Sequence, residues 1–427
     1  MTFVQERLSK FQTDPPTLTT LLAMITRPRQ GFGFLHLASP YSSRAAAVFW
    51  LLWAWLDCVP PIQAEPLNSN SFDVLVGTYT SGRSKGIYSF RFNADTGDLQ
   101  PLATPAETVN PSYLVVSPDK KFVYAVNELH GCGNEQGAVS AFHFDAASGA
   151  LTFINKVPAL GDDPCYISLS PDGQNVFVAN YSSGGLSALA VQPDGSLAGP
   201  VETLTHVGHG PNPERQKSAH VHMVIASPDN EFLFATDLGE DRVYAYRCEP
   251  GSQAFPLHPA HPPYTVISSG AGPRHLAFSH DGRFVYLIEE MGEAVVVFQR
   301  HEARLEPIQM VRVAPKEWPG DVGAAALHLS PDGKFLYASN RTNANDLLIY
   351  SVDAQAGTLT PVGHQGSLGA KPRDFCIDPT GKFLVVANQD SDNLVIFKRD
   401  PETGALTPTG RSVEVGSPVC VQMVPAL

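Results

Sequence analysis

Six stretches of the chain repeat one arrangement: an apolar run, a turn of the Ser-Pro-Asp-Gly type, and a second apolar run. They cover residues 112–128 (SYLVVSPDKKFVYAVNE), 165–181, 222–238, 274–290, 325–341 and 373–389. The first turn residues are Ser117, Ser170, Ser227, Ser279, Ser330 and Asp378, spaced by 53, 57, 52, 51 and 48 residues. Runs rich in Val, Ile, Phe and Tyr with an apolar-polar period of two predict strands. Between them, proline sets φ, aspartate bonds back to its own backbone, and glycine accepts the positive φ of a tight turn. A third apolar run follows, as in 138–144, 241–246, 294–298, 346–350 and 393–397, and turns such as 147–151 and 402–406 lead into a fourth. Four antiparallel strands in each repeat make a propeller blade and not a helical solenoid.

The ends supply one more unit. Residues 72–92 read as two strands that lack an inner neighbour, and 418–424 read as an inner strand that lacks a partner. Pairing them would close the ring and remove the exposed strand edges of an open sheet. The expectation is an all-β, seven-bladed β-propeller occupying 70–427 as one domain. Residues 1–64 fall outside the repeat. There, Ala45 to Leu56 is an uncharged apolar run preceded by Arg44 and followed by Pro60, Pro61 and Ala64. A basic flank, a short apolar stretch and a small residue at a junction form a secretory signal, here about 44–64. The run is too short for a permanent span, which needs about 20 residues. A periplasmic or secreted protein is expected; a cytoplasmic one would follow if the run belonged to the fold. Asp57 ahead of Cys58 fits a lipoprotein site poorly.

Composition narrows the partners. Of 427 residues, 43% are hydrophobic and 17% charged, which is globular and not disordered. The formal charge of −13 argues against nucleic acid and anionic membranes, and becomes −15 without residues 1–64. A small anionic substrate is still permitted, since local arginines outweigh a distant field. The cysteines beyond the signal (132, 165, 248, 376, 420) are odd in number and widely spaced, so spacing implies no disulfide.

The register of the repeat locates the candidate chemistry. In an antiparallel hairpin, the start of the first strand and the end of the second lie together, away from the turn. Two columns of positions should therefore ring one mouth of the channel. Five residues before each turn stand Ser112, Cys165, His222, Arg274, Ala325 and Arg373; eleven after it stand Glu128, Tyr181, Leu238, Glu290, Arg341 and Gln389. One place earlier, Asn127, Asn180, Asp237, Glu289, Asn340 and Asn388 are all polar. A purely structural repeat favours like residues at like positions, whereas the two mouth columns diverge. His222, Arg274, Glu290 and Arg341 come from three consecutive blades and are the expected catalytic group. Arginines grip carboxylates or phosphates through paired N–H donors, and Glu or His exchanges protons. The competing reading makes them ion pairs that staple neighbouring blades. Arg373, Glu128, Asn127, Asn340 and His220 are expected substrate contacts. His206, His209, His220 and His222 invite a zinc reading, but spacing reveals no carboxylate or cysteine to complete the set, so no metal is expected. Gly131, Gly133 and Gly137 are not followed by a helix and make no dinucleotide site. No cofactor is required.

On Val76-Gly77-Thr78-Tyr79-Thr80, Gly86 to Tyr88, Asn110 to Ser112, Asn127-Glu128, Ser218 to His222, Gly272 to His275, Ser339 to Arg341 and Lys371 to Phe375, the chain resembles the seven-bladed propeller lactonase family. That family includes propeller-type 6-phosphogluconolactonases and fungal carboxymuconate-lactonizing enzymes. The resemblance spans about 70–425. It implies a mouth with one His, two Arg and one Glu, matching His222, Arg274, Arg341 and Glu290. One departure is Glu289-Glu290-Met291, where the family often has Asn-Glu-Leu. The implied activity is hydrolysis of a sugar-acid lactone, with Glu290 or His222 activating water and Arg274 and Arg341 stabilising the oxyanion. A non-catalytic binding propeller and an intramolecular cyclase acting on a dicarboxylic diene are the competing readings.

Overall fold

Each repeat turn is built by its own first and third residues. In the turn at Ser170, the hydroxyl donates to Asp172 Oδ1 (2.6 Å) and accepts from the Asn175 amide (2.9 Å), while Asp172 takes the Gln174 amide (3.0 Å). The same Ser–Asp latch recurs at Ser117, Ser227, Ser279 and Ser330. At the last turn, Asp378 replaces the serine and accepts the Phe383 amide directly. The fourth turn residue takes positive φ in all six, between 59° and 71°, and is glycine in four of them. Lys120 and Asn230 hold that conformation without glycine's freedom.

In this computed structural model, which describes residues 70–131, 136–248, 257–313, 323–342 and 344–426, the hairpins build seven antiparallel sheets. Six of them have four strands in sequence order, beginning with inner strands Leu114–Val116, Pro164–Leu169, Val221–Ala226, Pro273–Phe278, Ala324–Leu329 and Pro372–Ile377. These are blades 2 to 7. Blade 1 takes Ser71–Thr78, Gly86–Asn93 and Asp98–Pro101 from the start of the ring and Pro418–Pro425 from its end. The closing pair runs antiparallel from Phe72 opposite Pro425 to Gly77 opposite Cys420. The fold is the expected seven-bladed propeller, closed as expected. The third strand that the repeat left unassigned in blade 3 is Gly185–Val191.

Burial departs from simple alternation, for a packing reason. Second strands such as Phe232–Asp237 and Phe335–Asn340 are buried at every position, because each blade is covered on both faces by its neighbours. Outer strands such as Leu359–Gly366 are largely exposed. Polar latches cross the blade interfaces at the hairpin end. Arg399 of blade 7 is buried, with Nη2 on both carboxylate oxygens of Asp332 in blade 6 (3.0 and 3.1 Å), Nε on the Tyr337 hydroxyl (2.9 Å) and Nη1 on the Gly381 carbonyl (2.8 Å).

Cys165, Cys248, Cys376 and Cys420 are buried free thiols. The segment expected to be a signal, Cys58, Cys132 and Gly133 lie outside the described residues. Among the described residues, no helix is long and apolar enough to cross a membrane.

Candidate active site at the open mouth

The inner strands do not enter their sheets smoothly. In blade 4 the pairing steps from Val221–Asp237 to Met223–Thr236, leaving His222 unopposed. Blade 5 steps over Arg274, and blade 7 steps over Arg373 in the same way. Cys165 and Ala325 occupy the corresponding irregularities in blades 3 and 6. A bulge inserts one residue and re-aims its side chain. Five of the six positions in the column chosen by counting back from the turns are thus bulge residues, while Ser112 lies just ahead of its strand. Gly272 starts the blade 5 bulge at φ +63°, and a Cβ there would come within 2.9 Å of Met291 Cε. The Gly272 carbonyl takes the Glu290 amide (2.8 Å), which sets Glu290 beside Arg274.

Glu290 is the centre of the site. Its Oε2 accepts from Arg274 Nε and pairs with Arg341 Nη2, both at 3.0 Å, and His222 Nε2 lies 4.0 Å away. Its Oε1 accepts from Arg215 Nη2 at 2.6 Å. Arg274 is itself fixed by Nη1 donating to the Ala325 carbonyl (2.6 Å), and Arg341 by Nε donating to the Gly323 carbonyl (3.2 Å). The four residues selected by register therefore converge. The stapling contacts are present too: Arg341 and Arg215 reach Glu290 from blade 6 and from the loop ahead of blade 4.

The electrostatics follow from this crowding. Burial alone would raise the Glu290 carboxyl, but the guanidiniums of Arg341, Arg274 and Arg215 and the His222 ring hold it well below the usual range. Glu290 is an ionised, weakly basic anchor. Burial and the Arg274 charge push His222 well below 6.5, so its imidazole is neutral. Burial, then Arg341 and Arg373, lower Arg274 to about 9.

A second group lines the same mouth. The Tyr79 hydroxyl donates to Glu128 Oε1 (2.9 Å), and the Arg373 guanidinium lies 5.4 Å from the centre of the Tyr79 ring. Arg373 makes no hydrogen bond or ion pair among the described residues, although the fields of Glu128 and Glu290 both reach it. Burial raises the Glu128 carboxyl above 4.5, against the opposing pull of Arg373, Ser112 and Tyr79.

The remaining expected contacts divide. His220 lines the site: its ring stacks on Tyr181 at 4.5 Å, and its Nδ1 meets the Tyr181 carbonyl (2.9 Å). Asn127 and Asn340 are fully buried beneath the mouth. Asn127 donates to Thr108 Oγ1 and the Val109 carbonyl and accepts from Ser140, whereas Asn340 accepts the Gly323 amide. Glu289 is buried inside the blade, away from Glu290's partners; burial and Asp241 raise it to about 7. The four histidines do not assemble. His209 is exposed, and His206 sits with Asp237 (2.7 Å) and the Tyr246 hydroxyl (2.7 Å) on its two nitrogens. Asp237 and Glu240 approach His206 closely enough to suggest ligands, carboxylates that spacing did not reveal. Both ring nitrogens are already hydrogen-bonded and Arg242 lies 3.5 Å from Glu240, so the group reads as a polar latch.

Two residues at the site escaped the register argument. Arg215 belongs to the loop between Thr205 and Val221, which is held by buried Gln216 donating to the Leu238 carbonyl and to Asp241 (2.8 Å each). The interval of 57 between Ser170 and Ser227, the longest of the five, was its trace in the sequence. Tyr79 follows the first strand of blade 1, a blade with no anchor turn to count from; its amide donates to the Ser417 carbonyl (3.0 Å) across the ring closure.

A closed seven-bladed ring with a histidine, two carboxylates and a crown of arginines at one mouth defines a propeller equipped for small anionic or polarised substrates. Residues 73–423 match the family model described as lactonase, 7-bladed beta-propeller. A 6-phosphogluconolactonase of Bacillus subtilis is 36% identical over 82% of this chain and 97% of its own length. One from Formosa agariphila is 34% identical over 75% of this chain and 90% of its own. The solved structure of a Pseudomonas aeruginosa periplasmic gluconolactonase superposes with a TM-score of 0.80 at 44% identity, covering 84% of this chain and 100% of that one. The chain belongs to the seven-bladed β-propeller lactonase family.

Proposed function

We propose that this protein is a lactonase that hydrolyses a sugar-acid lactone, as the names of its relatives suggest for them. The observation that carries this reading is the arginine cluster organised around Glu290. Ester hydrolysis passes through a tetrahedral oxyanion, and preorganised cationic donors in a shielded site stabilise that charge strongly. Glu290 holds Arg274 and Arg341 rigid, which leaves their remaining N–H groups for the substrate, and neutral His222 adds a polar contact. Arg373 and His220 line the binding side. The scheme needs no cofactor. Residues 44–64 support export, and a periplasmic relative is consistent with it. An exported enzyme would meet unphosphorylated or extracellular lactones.

A pH-indicator assay against glucono-δ-lactone, its 6-phosphate and a muconate tests the reading. Turnover of either lactone above the spontaneous rate is expected. Binding without turnover would make the protein a non-catalytic propeller, and consumption of the muconate alone would make it a cyclase. Cell fractionation with N-terminal sequencing tests export.

A further inference from the structure

We propose that Glu128, and not Glu290 or His222, is the general base that activates the hydrolytic water. The inference rests on the lactonase reading and assigns a role within that site.

A general base needs an oxygen or nitrogen lone pair not already held by a cation and a basicity that survives its surroundings. Glu290 has neither: Oε1 is bonded to Arg215, Oε2 to Arg274 and Arg341, and the cations suppress its affinity for a proton. Its arrangement is that of a counter-ion that aligns guanidiniums. His222 is buried beneath it, with Nε2 directed at Glu290 (4.0 Å) and Nδ1 at the Cys165 thiol (3.9 Å), and its basicity is lowered as well.

Glu128 differs on each count. No cation is bonded to either of its oxygens among the described residues: Oε1 accepts from the Tyr79 hydroxyl (2.9 Å), and Oε2 is buried without a well-formed hydrogen bond. The Ser112 hydroxyl of the same blade is likewise without a well-formed hydrogen bond, and it lies close enough to favour the Glu128 carboxylate. Two adjacent buried oxygens, one acceptor and one hydroxyl, without well-formed partners call for an explanation, and a role in receiving the attacking water supplies one. The backbone around Glu128 is clamped: its amide donates to the Asn110 carbonyl (3.0 Å) and its carbonyl accepts from Asn110 Nδ2 (3.1 Å). Asn110 also accepts from the Thr80 amide (2.9 Å), so Tyr79 and Glu128 are tied through one residue. The groups facing Glu128 are Tyr79, Ser112, Cys165, Asp163 and Arg373. Burial leaves Glu128 more basic than an ordinary glutamate, and the field of Arg373, which no carboxylate pairs among the described residues, reaches it.

The step balances. Water attacks the lactone carbonyl carbon as Glu128 takes one of its protons, and the carbonyl π pair moves onto oxygen beside the arginines. The tetrahedral intermediate re-forms the carbonyl and breaks the ring C–O bond. The ring oxygen takes the proton back from Glu128, giving the hydroxy acid, and the carboxylate regenerates the base.

The test is the pH dependence of kcat/KM for glucono-δ-lactone, corrected for spontaneous hydrolysis, in wild type, Glu128→Gln and Tyr79→Phe. Wild type should rise with pH through an inflection above 4.5. Glu128→Gln should lose roughly 10²- to 10⁴-fold and the inflection with it. Tyr79→Phe removes a donor that stabilises the carboxylate, so its inflection should move to higher pH while most activity is kept. Glu128→Gln within threefold of wild type, or with an unchanged inflection, overturns the assignment while leaving the lactonase reading intact. If Glu128→Gln fails to fold, an unmoved inflection in Tyr79→Phe overturns it. A wild type that hydrolyses no lactone removes both proposals together.

Discussion

The two ends of the ring put one repeat to opposite uses. At the hairpin end, five blades carry the same Ser–Asp latch making the same bonds, and the last carries a close substitute in Asp378. At the mouth, equivalent bulge positions hold Cys165, His222, Arg274, Ala325 and Arg373, no two neighbours alike. Uniformity marks positions that serve the frame, and divergence on the same frame marks positions released for chemistry. Two arginines show the contrast in miniature. All three guanidinium nitrogens of Arg399 meet structural partners, so it acts as a rivet. Arg373 at the mouth has a ring beside it and no anion bonded to it among the described residues.

Breaking the mouth should damage turnover far more than the fold. Arg274→Ala removes a donor fixed on Glu290 and on the Ala325 carbonyl and should lower kcat by about 10²- to 10³-fold, read by the lactone assay. Breaking the frame should do the reverse. Arg399→Met strands Asp332 and should cost about 2–3 kcal/mol in denaturant melts, below the full cost of a buried pair because Asp332 is 30% exposed, with activity per folded molecule unchanged. Equal losses of activity and stability in either variant would erase the division between the two ends.

Glu289 sharpens the comparison from one place beside the mouth column, where it is the buried sequence neighbour of the anchor Glu290. Burial and Asp241 raise its folded-state value to about 7 from an ordinary 4.5. The folded chain therefore keeps a proton that the unfolded chain releases, and stability should fall as pH rises from 4.5 to about 7. Glu289→Gln, which mimics the protonated acid, should flatten that slope and gain about 1–3 kcal/mol at pH 8, measured by melts across pH. An unaltered slope would place the titration elsewhere.

Smaller effects test whether the latches are equivalent. Ser170→Ala should cost about 1 kcal/mol for its paired bonds, with similar losses at Ser117 and Ser330. Lys120→Gly relieves a φ of +59° and should stabilise by at most about 1 kcal/mol. A loss there would mean that the Lys120 ammonium on the Pro425 carbonyl (3.3 Å) matters more to ring closure than the backbone strain.

Much of this molecule was legible before any coordinates. Strand period, turn chemistry and the spacing of six anchors are local properties, because a residue's face on a strand follows from its count along the chain. From those came the blade number, the closure by Pro418–Pro425 and the gathering of His222, Arg274, Glu290 and Arg341. Tertiary structure alone decided the rest. Arg215 enters from a loop with no repeat register, and Tyr79 from the blade that two distant segments share. Asn127 and Asn340 occupy the right level but are buried in the sheet, where the Val109 carbonyl and the Gly323 amide take their side chains. The difference between Glu290 and Glu128 was also invisible in one dimension. Two glutamates at the same repeat position differ in basicity because the closed ring bonds three guanidiniums to one of them and brings only the field of Arg373 to the other.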